Sequence, residues 1–151
     1  LWNPRVKGFT SRNLTDGAQT DAVSAASFLG PYAGMLDHLG ETLDHFDRIA
    51  SQVEYMIPSF DPNSEGFDPQ RYWRGPVWHV INNRIGLGWQ DIGAMERAGR
   101  VRRDTARLTE KSGFSEYFDP LTGEGLGGKS FTWTASVYLD WACDQSAVPT
   151  A

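Results

Sequence analysis

The sequence predicts an all-α fold, and three observations carry that prediction. Apolar residues at Leu36, Leu39, Leu43, Phe46 and Ile49 recur every three or four positions, the period of a helix that buries one face. The apolar–polar alternation of a half-buried strand is nearly absent. Between the periodic stretches lie long runs with Pro58, Pro62, Gly66 and Pro69, or Gly123, Gly125, Gly127 and Gly128, residues that interrupt helices.

In chain order, residues 3–19 are polar and turn-rich, with Pro4, Gly8 and Gly17 as breakers. Thr20 is a candidate N-cap for a short helix over Asp21 to Leu29, because its hydroxyl can accept an otherwise unpaired backbone N–H; Gly30-Pro31 interrupts it. The amphipathic helix follows from Leu36 to Ala50, with Asp37, Glu41, Asp44, Asp47 and Arg48 on its polar side. Residues 57–71 read as a long ordered loop punctuated by Phe60 and Phe67. Pro76 suits the first turn of the next helix, striped by Val77, Trp78, Ile81 and Ile85 and closed by Gly86 and Gly88. Asp91 is the candidate cap of a helix through Ile92, Met95, Ala98, Arg102 and Leu108, stopped by Gly113. Residues 114–130 form a second loop, and Thr132 caps a last helix through Trp133, Val137, Leu139 and Trp141. The count comes to five or six helices in one domain over residues 1–151.

Composition narrows the function. The 151 residues carry 14 Lys+Arg against 19 Asp+Glu, a net charge of −5, which argues against nucleic acid or an anionic membrane as the main partner. The basic residues cluster once, at Arg97, Arg100, Arg102, Arg103 and Arg107, where helical spacing suggests a solvated face. The single cysteine, Cys143, excludes an internal disulfide and a Cys-based zinc site, and no run approaches a membrane span. The first residues, Leu1-Trp2-Asn3-Pro4-Arg5, lack both a methionine and a signal-peptide pattern, so the chain is expected to begin inside a longer protein and to be cytoplasmic. The oligomeric state is left open.

Two segments carry chemistry. Tyr72-Trp73-Arg74-Gly75-Pro76-Val77-Trp78 packs three large aromatics and an arginine into seven residues at a helix start. Such a group either binds a sugar, whose C–H faces stack on indole and phenol rings while its hydroxyls need fixed donors, or is a core cluster with Arg74 stacked on a ring. In Phe114-Ser115-Glu116-Tyr117-Phe118-Asp119-Pro120, Glu116 lies between aromatics just past a helix end, where a carboxylate can act as general base on water, with Arg74 the candidate counter-charge. Asp119 is expected to tie down the turn Asp119–Gly123 through local backbone N–H groups. His38, Glu41 and His45 share a helix face but lack the i, i+4 histidine pair of a strong metal motif, so no metal or cofactor is expected. No serine sits in a Gly-x-Ser-x-Gly elbow, and Gly127-Gly128-Lys129-Ser130 lacks the spacing and preceding strand of a phosphate loop. Asn13-Leu14-Thr15 is a glycosylation sequon, a pattern common by chance.

Together these segments resemble a known family. FDPQRYWRGPVW (67–78), GFSEYFDPLTGEGLGG (113–128) and FTWTA (131–135), with ASFLGPYAG (26–34) and Ile57-Pro58-Ser59 in the same order, are similar to the C-terminal part of glycoside hydrolase family 63. The nearest likeness is to its branch of bacterial mannosylglycerate and glucosylglycerate hydrolases, over about residues 20–141. The resemblance implies the C-terminal half of an (α/α)6 toroid and inverting hydrolysis of an α-glycosidic bond in a small carbohydrate. It makes Glu116 the general base, and Tyr72, Trp73, Arg74, Gly75 and Trp78 the lining of the sugar subsite, with Tyr117 and Trp133 beside them. It puts the general acid, an Asp, upstream of Leu1, so the 151 residues alone are expected to be inactive. His79 and Asn83 depart from the family pattern. A trehalase-like or debranching-type α-glucosidase shares the toroid, and a non-catalytic sugar-binding remnant is the rival of another class.

Overall fold

A computed structural model describes residues 1–143. Four α-helices dominate, α1 Leu39–Ala50, α2 His79–Asp91, α3 Met95–Ser112 and α4 Thr132–Cys143. They are joined by two 3-10 turns, Ala25–Phe28 and Pro31–Ala33, and two minimal antiparallel hairpins. The hairpins are β1 Trp2–Asn3 with β2 Gly8–Phe9, and β3 Tyr117–Phe118 with β4 Gly125–Leu126, in register Trp2↔Phe9 and Tyr117↔Leu126. Strands of two residues are too short to show alternation, which is why the sequence does not announce them.

The main core lies where α1, α2, α3 and the first 3-10 turn meet. Phe28, Phe46, Ile49, Met56, Ile57, Ile85, Trp89 and Val101 are all almost fully buried. Phe46 meets Trp89 at 4.7 Å and Phe28 edge-on at 5.9 Å, while the Trp89 indole N–H donates to the Phe28 carbonyl at 3.2 Å. A smaller core of Tyr55, Val77, Leu108 and Phe118 anchors the β3–β4 hairpin onto α3.

The long loops are knitted to one another by backbone pairing. Ser24 bridges Phe60, Pro58 bridges Val77, and Val77 bridges Phe118. This pairing explains three departures from the sequence reading. The helix over Asp21–Leu29 shrinks to Ala25–Phe28 and is capped at Ser24, not Thr20, because Asp61 N–H bonds the Val23 carbonyl at 3.0 Å and Ala25 N–H bonds the Ser59 carbonyl at 3.3 Å. The helix expected to open at Pro76 opens at His79, because Val77 is extended and exchanges bonds of 2.8 and 3.1 Å with Phe118. The amphipathic helix begins at Leu39, because His38 takes a left-handed conformation (φ 58°); Leu36 lies outside it and is exposed.

Gly86 and Gly88 do not end α2. They admit neighbours: a Cβ on Gly88 would lie 2.3 Å from the Tyr32 backbone nitrogen, and one on Gly86 3.1 Å from the Trp141 ring. Asp91 therefore closes α2 instead of capping α3, and Gly93, at φ 77°, makes the turn. The arginine run of α3 is not simply a solvated face. Arg97 pairs with Asp47, Arg100 with the buried Asp104 and Arg107 with Glu54, so the run holds α1 and the 53–56 segment against α3. Arg102 also sits over the Trp141 ring. Gly113 ends α3 as read, and Asp119 ties its turn, accepting from the Leu121 and Thr122 amides at 2.8 and 3.1 Å.

Candidate active site

The two chemical segments, 36 to 48 residues apart in the chain, come together at one end of α2 and α3. The Val77–Phe118 bridge draws the loop before α2 against the hairpin after α3. Two buried polar side chains hold the platform beneath. Asn82 donates to the Met56 carbonyl and to the Thr105 hydroxyl (both 2.9 Å) and accepts from Ile57 N–H (3.2 Å). Asp104 accepts from Met56 N–H at 2.9 Å. Neither drew notice in the sequence, because a lone Asn or Asp on a helix carries no motif.

Trp78 is the hub of an aromatic cluster. Its ring is stacked by Trp73 (4.2 Å, 9°) and by Tyr117 (4.9 Å, 25°), and met edge-on by Tyr72 (4.8 Å, 85°) and Trp133 (5.9 Å, 70°). Only 1% of Trp78 is exposed, against 48% of Trp73, 47% of Tyr72 and 37% of Trp133. A ring without free surface cannot itself stack on a sugar. Trp78 is therefore the support on which Trp73, Tyr72 and Trp133 present open surface. Trp78 thus packs as a core residue, while Trp73, Tyr72 and Trp133 leave ring surface exposed. Trp73 also lines a cleft of about 270 Å³ with Leu29, Phe60 and Ile81.

Glu116 stands against this cluster. One carboxylate oxygen accepts the Tyr72 hydroxyl at 3.0 Å and the other accepts Gly128 N–H at 3.1 Å, while Glu116 N–H bonds the Gly128 carbonyl at 2.9 Å. The hydrogen bond to Glu116 raises the Tyr72 phenol above its ordinary 10, so the hydroxyl keeps its proton as a donor. Gly127 is required here: its φ is 70°, and a Cβ would lie 2.6 Å from the Glu116 carboxylate. The paired glycines that failed as a phosphate loop were the available signal for this role.

The remaining expected residues take other places. Arg74 donates through Nε to the Gly66 carbonyl at 2.9 Å, and no ion pair reaches Glu116 among the described residues, so the expected counter-charge is replaced by two neutral donors. Gly75 is buried and backbone-bound to the Ser59 hydroxyl; a Cβ there would strike the Asp68 carbonyl at 2.2 Å, which makes its role one of close packing. His79 lies beneath the site, stacked on Phe118 at 4.5 Å and bonded to the Thr109 hydroxyl at 2.8 Å. Thr109 itself donates to the Thr105 carbonyl, so the ring nitrogen Nε2 is the donor toward Thr109. Burial pushes its pKa down to about 3. Asn83 bonds Asp140 at 3.3 Å. His38 stacks on Trp2 and His45 bonds the Val6 carbonyl; no group of three or more His, Cys, Asp or Glu side chains is placed to hold a metal among the described residues. No helix among them is long and apolar enough to cross a membrane.

A carboxylate held beside exposed aromatic faces can accept a proton from water next to a sugar ring stacked on them. The model of the mannosylglycerate hydrolase MGH1-like glycoside hydrolase domain matches residues 1–134, and the chain belongs to that family. It is 38% identical over 144 residues to mannosylglycerate hydrolase of Thermus thermophilus, which covers 93% of this chain and 34% of the relative. It is 42% identical over 86 residues to glucosylglycerate hydrolase of Mycolicibacterium hassiacum, covering 57% of this chain and 19% of the relative. The crystal structure of the family 63 mannosylglycerate hydrolase of Thermus thermophilus with glucose matches with a TM-score of 0.90 and 37% identity, over 94% of this chain and 36% of that one. The same enzyme with Tris and D-glycerate matches with the same score. The chain thus spans about a third of the length of these relatives.

Proposed function

We propose that residues 1–151 are the C-terminal portion of one (α/α)6 catalytic domain, whose N-terminal helices supply the rest of the toroid. The complete enzyme hydrolyses, with inversion, the α-glycosidic bond of a small glycoside such as mannosylglycerate or glucosylglycerate. The relatives' substrates support this reading, as does the Thermus enzyme's structure with glucose and with D-glycerate. The lone cysteine fits a cytoplasmic enzyme.

The observation that carries the mechanism is the Glu116 carboxylate, held by two neutral donors beside exposed aromatic faces. Inversion uses two carboxyl groups roughly 6.5–9.5 Å apart on opposite sides of the sugar. Glu116 takes a proton from a water whose oxygen attacks the anomeric carbon. The bond to the aglycone oxygen breaks as that oxygen takes a proton from the second carboxyl group, an Asp upstream of Leu1. Trp73, Tyr72 and Trp133 hold the ring so that attack is in line, which is a matter of positioning. No metal is needed for either proton transfer.

In the full-length enzyme, Glu116→Gln is expected to lower kcat by about 10² or more while substrate affinity is retained. The first-formed sugar, followed by proton NMR, is expected to be the β anomer. Intact turnover in Glu116→Gln, or an α product, overturns the mechanism.

A further inference from the structure

We infer that Tyr72 is a positioning residue for the general base, its hydroxyl holding the Glu116 carboxylate in the orientation that accepts a proton from water, over and above any contact its ring makes with the sugar. This rests on the reading of Glu116 as base.

The geometry makes Tyr72 a poor choice for a side chain that only packs or stacks. Its backbone sits at φ 28°, a conformation that costs a non-glycine residue free energy and tends to persist where the surroundings over-determine it for function. Three things impose it. The Trp78 indole N–H donates to the Tyr72 carbonyl at 3.0 Å, Arg74 N–H closes a turn onto the Arg71 carbonyl at 2.7 Å, and Trp78 and Tyr117 both meet the Tyr72 ring edge-on. The ring is thereby braced on two sides, and its hydroxyl lies 3.0 Å from one carboxylate oxygen.

The chemistry is consistent with a donor that never gives up its proton. Hydrogen bonding to the carboxylate holds the phenol above its ordinary titration range, so at working pH it donates only. Tyr72 and the Gly128 amide each use one acceptor site on different oxygens. An ionised carboxylate offers about four such sites, so two remain for the attacking water. With no cation bonded to the carboxylate among the described residues, these two donors are what fix its plane.

Tyr72→Phe isolates this role, because it removes the hydroxyl and leaves the ring. In the full-length enzyme kcat is expected to fall about ten-fold with KM within two-fold, the loss of one hydrogen bond to a charged acceptor. Unchanged kcat overturns the inference, and a raised KM with unchanged kcat would assign the hydroxyl to substrate instead. Glu116→Gln run in parallel separates the two readings. If it keeps turnover, the base is misassigned; if it abolishes turnover while Tyr72→Phe is silent, only the positioning role fails. A thermal melt of Tyr72→Phe matching the parent shows that the fold is intact, as the half-exposed residue leads one to expect.

Discussion

Lowering the pH is expected to destabilise the fold through His79 before any carboxylate matters. The imidazole is fully buried, stacked on Phe118, with Nε2–H bonded to Thr109 and Nδ1 without a partner. Burial holds its pKa at about 3 in the folded chain, against 6.5 when unfolded. Below pH 6.5 the unfolded chain therefore takes up a proton that the folded chain refuses until about pH 3. Stability is unaffected above that window and falls as the pH drops through it, by roughly 1.4 kcal/mol per pH unit and at most about 5 kcal/mol in all. Urea denaturation of the full-length protein at steps from pH 7 to pH 5 tests this, since carboxylates scarcely titrate there. His79→Gln keeps an amide donor toward Thr109 and does not titrate. Its stability is expected to fall more gently than the parent's, by about 2 kcal/mol less between pH 6.5 and 5. Parallel pH dependences of the two proteins would refute the argument.

Two glycine substitutions test the close approaches. Gly127→Ala is expected to push the Glu116 carboxylate aside, since the new Cβ would lie 2.6 Å from it, and to cost roughly 10² in kcat with a much smaller effect on KM. A near-normal kcat would show that the carboxylate tolerates displacement. Gly88→Ala would place a Cβ 2.3 Å from backbone at Tyr32, which cannot swing away, so a loss of about 1–3 kcal/mol or more is expected in thermal melts. Gly40→Ala, also in a helix but with open space around it, is expected to be neutral or stabilising by up to about 1 kcal/mol. Equal melting shifts for the two would refute the packing argument.

The parts of the fold and site that were legible in the sequence share one property: their information is local. The stripe from Leu39 to Ile49, the stop at Gly113, the turn tied by Asp119 and the aromatic run 72–78 each need only neighbours within a few positions. The misread parts depend on partners far along the chain. Gly86 and Gly88 look like helix ends until Trp141 and Tyr32 are seen to need their space, and Pro76-Val77 looks like a helix start until Phe118 takes Val77 into backbone pairing.

The same division runs through the site. Sequence alone determined that an aromatic run and a flanked carboxylate exist in this chain, and the resemblance of their motifs to a glycosidase family, because each is written in one short stretch of chain. Which ring carries and which ring presents was decided only by tertiary structure. Trp73 and Trp78 are equivalent as letters, but only one is enclosed by Trp73 and Tyr117. Tertiary structure also chose the partners of Glu116, setting aside the arginine that charge alone suggested in favour of a phenol 44 residues away and the amide of Gly128. Hydrogen bonds are short and directional, so their partners are set by where the folded backbone delivers each donor.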